Sequence, residues 1–141
     1  MNIPVPSGAT GDILEMAFER VGRPTIERFA PDWVLVSCGF DAHRADPLGG
    51  LALSSGDFAR LARLTAGFAP RPGRLVLFLE GGYDLTALRT STAATLDALL
   101  GGSDPVERPT SGGPGREHVD ATLEARRRAV EQAGGAGADA D

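Results

Sequence analysis

Lysine is missing from this sequence altogether, and cysteine, tryptophan and tyrosine occur once each. All fourteen basic residues are therefore arginine. Alongside abundant Gly, Ala and Pro, this reads as the compositional bias of a GC-rich genome and carries no functional weight. The lone thiol, Cys38, excludes an internal disulfide and suits a reducing compartment. No apolar run approaches the roughly 18 residues that span a bilayer. The opening MNIPVPSG has neither the charged start nor the apolar stretch of a signal peptide. A soluble, cytoplasmic protein with no membrane partner is expected. Net charge is -5, so the basic face that displaces phosphate counterions is absent and no nucleic-acid partner is expected.

What is present suits one globular domain: 141 residues, 42% of them apolar. NIPVP (2–6) reads as a short strand, its prolines marking an edge or an end. Asp12 offers an N-cap to a helix whose stripe is Ile13, Leu14, Ala17, Phe18 and Val21. Pro24 breaks that helix or begins a new turn, and an apolar face continues to about residue 29. The run WVLVSC (33–38) then reads as a buried strand. The order repeats: Ser54 or Ser55 caps a helix carrying Phe58, Leu61, Leu64 and Phe68, and LVLFLE (75–80) is a second apolar strand. GGYD (81–84) leads into a helix with Leu85, Leu88, Ala93, Leu96 and Leu99, which Gly101 and Gly102 end. Strands that are apolar throughout and alternate with helices predict an α/β fold, a parallel sheet with helices on both faces. Residues 103–141 are polar and rich in Pro and Gly, so a mostly disordered tail is expected there, able to form a short helix over 119–133.

In parallel sheets ligands gather at the carboxyl ends of the strands. Two Gly-rich turns fall at that end, GFDAHRADPLGG (39–50) and EGGYD (80–84). The first supplies carboxylates that can hold a hard or borderline cation. The second places a tyrosine directly after two glycines, where a phenol can donate to an oxygen gaining negative charge. The plainer alternative is that acids and glycines here only cap strands and shape turns. A phosphate cradle at EGGYDL is disfavoured, because the known glycine spacing is absent and Glu80 and Asp84 repel phosphate.

GFDAHRADPLGGLALS, followed at a distance by LFLEGGYDL, resembles the zinc-dependent histone deacetylase family, in particular bacterial members and acetylpolyamine amidohydrolases. NIPVPSGATGD, ILEMAFERV and FAPDWVLVS are similar to the same family, so the resemblance runs over residues 2–102. It implies the C-terminal part of an arginase/deacetylase-like three-layer domain over 1–102. It also implies hydrolysis of an N-acetyl amide, of acetyl-lysine or acetylpolyamine type, with Zn²⁺ as cofactor. By that resemblance Asp41 matches a zinc-ligating aspartate, and Tyr83 the tyrosine that steadies the oxyanion. Gly81 and Gly82 match glycines shaping the site, and Leu48 an apolar residue on the wall of the acyl channel. Asp46 is read as support for its loop. His43 falls two residues after Asp41, but its position is not a ligand in the family pattern, so a loop role is expected. Cys38 is read as a small buried hydrophobe.

A catalytic zinc site takes about three protein ligands, and only one is matched here. The family's aspartate–histidine ligand pair and its histidine dyad have no counterpart before His43. The 141-residue chain alone is therefore expected to be inactive. Three explanations stand open: a fragment of a longer enzyme, which is favoured, one half of a split deacetylase whose other chain brings the histidines, or a non-catalytic interaction module. The exposed sheet edge and core face distinguish them.

Overall fold

In chain order, the computed structural model has helices α1 (Gly11–Ala17) and α2 (Arg23–Phe29), strand β1 (Val34–Cys38), helix α3 (Ser55–Ala66), strand β2 (Leu75–Leu79), and helices α4 (Leu85–Leu99) and α5 (Arg116–Gly135). It describes residues 1–102 and 107–135. β1 and β2 pair in parallel, in register from Val34 opposite Leu75 to Cys38 opposite Leu79. Parallel neighbours need a long crossover, here the loop 39–54 and α3. This is the α/β order expected from the apolar runs.

Alternation along β1 sorts its side chains. Val34 and Val36, with Leu75 and Leu77 of β2, line an apolar cavity of about 600 Å³ that they share with Leu14 and Leu61 on the helical side. Phe78 lies off that face, Leu35 borders the cavity, and the two are 53% and 66% exposed. Among the described residues, then, the helices gather on one face of the pair and the other is open. α3 and α4 meet through Ala59, Ala94 and Ala98, small residues that let two helices approach closely.

Helices α3 and α4 start where the sequence supplies a capping side chain. Asp84 accepts the Ala87 N–H at 2.7 Å at the head of α4. Ser54, of the two serines considered, caps α3, with Asp57 accepting the Ser54 N–H at 2.8 Å in a capping box. At α1 the cap is Thr10 rather than Asp12. Asp12 instead sits in the first turn and accepts from the Thr10 hydroxyl at 2.5 Å and from the Ile13 N–H at 3.0 Å. Pro24 does not break the helix. Its missing N–H is absorbed by a π-helical stretch, Phe18–Gly22, in which the Arg23 N–H reaches the Phe18 carbonyl five residues back.

Two further expectations meet a different structure. NIPVP forms no strand among the described residues: Pro4 and Pro6 cannot donate to a ladder, and Ile3 and Val5 pack instead against the cluster of Ala9, Ile13, Ala17, Val21 and Val119. Val119 belongs to α5, so the segment expected to be a mostly mobile tail puts a fully buried side chain into a core cluster. Its approach, residues 107–115, is held by long-range hydrogen bonds. The Thr110 N–H and hydroxyl reach the buried Asp57 carboxylate at 3.0 and 2.7 Å, and the Gly113 N–H reaches the Thr10 hydroxyl at 2.8 Å. The rest of the expected tail, 103–106 and 136–141, lies outside the described residues.

Candidate functional site

The two turns leave the strands side by side. The Glu80 N–H donates to the Cys38 carbonyl at 3.3 Å and the Phe40 N–H to the Gly81 carbonyl at 2.8 Å, so the parallel ladder runs on into the loops. Phe40 anchors the first turn, buried edge-on against Phe58 with ring centres 5.0 Å apart. Asp41 follows at the surface end of this anchor and is half-buried. Its carboxylate lies directly against the second turn: a Cβ at Gly81 would stand 2.4 Å from Oδ2, and one at Gly39 2.9 Å from Oδ1. Both positions therefore exclude any side chain while the aspartate stays where it is. Gly82, at φ +135°, has a backbone that L side chains rarely adopt, and it turns the chain so that Tyr83 projects from the loop 57% exposed.

Of the four polar residues in DAHRAD, three are occupied elsewhere, Arg44 by the Glu107 carboxylate. His43 is buried, its ring parallel to Phe58 at 6.5 Å between centres. Its Nδ1 accepts the Ala45 N–H at 3.1 Å, which places the ring proton on Nε2, 2.9 Å from Glu107 Oε2. Asp46 is buried and accepts four main-chain N–H bonds. Leu48 and Gly49 donate to Oδ1 at 2.9 and 3.1 Å, and Tyr83 and Asp84 donate to Oδ2 at 2.7 and 3.3 Å. Burial opposes its ionisation, but these donors outweigh burial and hold its pKa below the usual carboxylate value. Among the described residues no hydrogen bond engages the Asp41 carboxylate. Leu48 stands 73% exposed at the rim of the same loop. Cys38 closes β1 half-buried, and burial pushes its thiol pKa up, away from a reactive thiolate.

Glu107 carried no signal in the sequence, standing in a Pro- and Gly-rich stretch. Its carboxylate takes the Ser55 N–H at 2.9 Å, the His43 ring and the Arg44 guanidinium at 2.5 Å. Burial works against its charge, but the Ser55 amide, His43 and Arg44 prevail and lower its pKa to about 2. Asp57 did carry a signal, since S-x-x-D before an apolar run spells a capping box, but nothing local announces its bonds to Thr110.

These turns thus present two uncommitted carboxylates among the described residues, Asp41 and the exposed Glu80, and one exposed phenol, Tyr83, on adjacent strand ends. That set can hold one side of a cation and donate to one oxygen. It does not by itself fit a zinc centre, which needs about three protein donors. Among the described residues no group of three or more His, Cys, Asp or Glu side chains comes together to hold a metal. Among those residues, too, no helix is long and apolar enough to cross a membrane.

Comparison with known proteins gives these turns a context. The histone deacetylase domain profile matches residues 1–99. Histone deacetylase 10, chloroplastic, of Oryza sativa subsp. japonica is 45% identical over 103 residues, covering 72% of this chain and 23% of that protein. Histone deacetylase clr3 of Schizosaccharomyces pombe is 39% identical over 102 residues, covering 72% of this chain and 15% of that protein. The solved structure of Clr3 superposes with a TM-score of 0.75 at 34% identity, over 89% of this chain and 20% of that one. The crystal structure of the HDA15 HD domain does so with a TM-score of 0.73 at 30% identity, over 88% of this chain and 33% of that one. The chain thus spans less than a quarter of these two curated relatives. Structural coverage of 88% is more than residues 1–102 make up, so the shared backbone continues beyond them. A sequence match over residues 1–99 and a superposable α/β backbone point the same way: the chain belongs to the histone deacetylase family.

Proposed function

We propose that this chain carries the C-terminal part of the active site of a zinc-dependent deacetylase, which hydrolyses an N-acetyl amide to acetate and an amine. The observation that carries this reading is the contact between the two turns, with the Asp41 carboxylate packed against Gly81 two residues before Tyr83. In this reading Tyr83 donates its phenolic O–H to the acetyl oxygen as that oxygen becomes an oxyanion. Asp41 is one zinc ligand, and the remaining donors come from outside the described residues, in the same polypeptide or in a second chain. Gly81 and Gly82 leave room for the reacting amide, and Leu48 forms part of the wall along the acyl group. The substrate is an acetylated lysine or a small acetylated amine, acted on in the cytoplasm.

The test uses the protein at the length its own cells make. Acetate release from an acetyl-lysine peptide and from an acetylated diamine is measured together with bound zinc. Tyr83→Phe is expected to lower kcat on the order of 100- to 1,000-fold, the usual loss for one oxyanion donor. Asp41→Asn is expected to lower bound zinc. Full hydrolysis by both variants would sink the reading.

A further inference from the structure

The Asp46 carboxylate links two turns that are far apart in sequence. One oxygen accepts from Leu48 and Gly49, the other from Tyr83 and Asp84, 37 and 38 residues further along the chain. All four donors are main-chain N–H groups, so this planar group sets the spacing between the backbone at Leu48 and the backbone at Tyr83. The Phe40–Gly81 bond and the Asp84 cap fix the base of the second turn, and among the described residues Asp46 alone takes the Tyr83 N–H. The two side chains are 73% and 57% exposed, so packing contributes little to holding either one. The residue before Tyr83 is Gly82, whose backbone at φ +135° is free of side-chain restraint.

Resting on the deacetylase reading above, we propose that Asp46 is a positioning residue that sets the distance between the Tyr83 phenol and the channel wall at Leu48. It thereby sets both the rate of hydrolysis and the acyl length accepted. Asp46 touches neither the substrate nor the reacting atoms; it acts through the backbone of the residues that do. Displacing a catalytic group by about 1 Å can cost on the order of 100-fold in rate. A side chain that holds Tyr83 by its own N–H at 2.7 Å governs a displacement of that scale.

Asp46→Asn keeps the size and one carbonyl oxygen but turns an NH2 group toward one pair of donors, so one turn is released. The first measurement is amide hydrogen exchange on the full chain. It should quicken at Tyr83 and Asp84, or at Leu48 and Gly49, and stay unchanged in α3 and α4. The second is steady-state hydrolysis of acetyl- and butyryl-lysine peptides by the protein at the length its own cells make, with Tyr83→Phe assayed in parallel. The Asn variant should lose on the order of 10- to 100-fold in kcat with KM within about threefold, and its preference for acetyl over butyryl should weaken. Unchanged exchange at all four amides overturns the proposal. So does a kcat and acyl preference equal to wild type while Tyr83→Phe is inactive. A wild type that hydrolyses neither peptide, or a fully active Tyr83→Phe, removes the deacetylase reading and this proposal with it.

Discussion

Glu107 holds His43 across 64 residues of chain, carboxylate oxygen to ring nitrogen at 2.9 Å. The histidine sits in the loop that carries Asp41, and the glutamate lies beyond the 99 residues that match the family profile. The same carboxylate also takes the first N–H of α3, where the helix dipole favours a negative charge. One exposed-looking acid therefore fastens the C-terminal segment, a helix start and the first site turn together.

That junction makes stability depend on pH in a known direction. The Glu107 pKa is depressed from the ordinary 4.5 to about 2, so its contribution is complete above 4.5 and is lost as pH falls toward 2. A shift of that size corresponds to about 3 kcal/mol in a fully dry site. Partial exposure and solvent screening reduce it to about 1 kcal/mol. Glu107→Gln should therefore unfold more easily in urea by about 1 kcal/mol at pH 6, and the gap to wild type should shrink below pH 4.5 and close only below about pH 2. A gap that does not shrink with falling pH would mean that the carboxylate charge does not act there.

Gly11 and Asp57 should show strong coupling. A Cβ at Gly11 would lie 1.8 Å from Asp57 Oδ1. The aspartate cannot swing away, because Ser54 and Thr110 hold it by hydrogen bonds of 2.7 to 3.1 Å. Gly11→Ala should then cost about 2 kcal/mol through overpacking, although alanine is the better helix former. Asp57→Ala should cost about 3 kcal/mol, from a lost cap and from buried donors left unpaired. In the double variant most of the Gly11→Ala cost should vanish, giving a coupling of about 2 kcal/mol by urea unfolding. Additivity of the two changes would show that the contact does not constrain the fold.

The sequence makes some of this architecture readable and hides the rest for a physical reason. β1, β2 and the start of α4 follow from local patterns: apolar runs bounded by Gly, and an acid one residue before a helix. The proximity of the two turns follows from parallel pairing alone. NIPVP misleads because Ile3 and Val5 alternate like a strand, whereas the two prolines that deny it a ladder are equally visible. Residues 107–115 mislead differently. Their composition signals mobility, but their polar atoms are satisfied by Asp57, Thr10 and His43, partners 53 to 103 residues away. Composition reports what a segment can do alone, and these partners appear only once the chain has folded. Asp46 was legible as a loop residue; its bonds to Tyr83 and Asp84 were not, for the same reason.

The open face of the strand pair supports a last prediction. Leu35 and Phe78 are 66% and 53% exposed, so replacing them removes little packing within this chain. Contiguous apolar surface of this kind drives association in water, and unpaired strand edges lie beside it. Threonine has the β-branched shape that suits a strand and replaces apolar surface by a hydroxyl. Leu35→Thr with Phe78→Thr should therefore leave the unfolding free energy of the full chain within about 0.5 kcal/mol, as for ordinary surface changes. Light scattering of the same samples should show less self-association than wild type. A loss above about 2 kcal/mol would mean that both side chains are packed as core residues are, and that the face is closed.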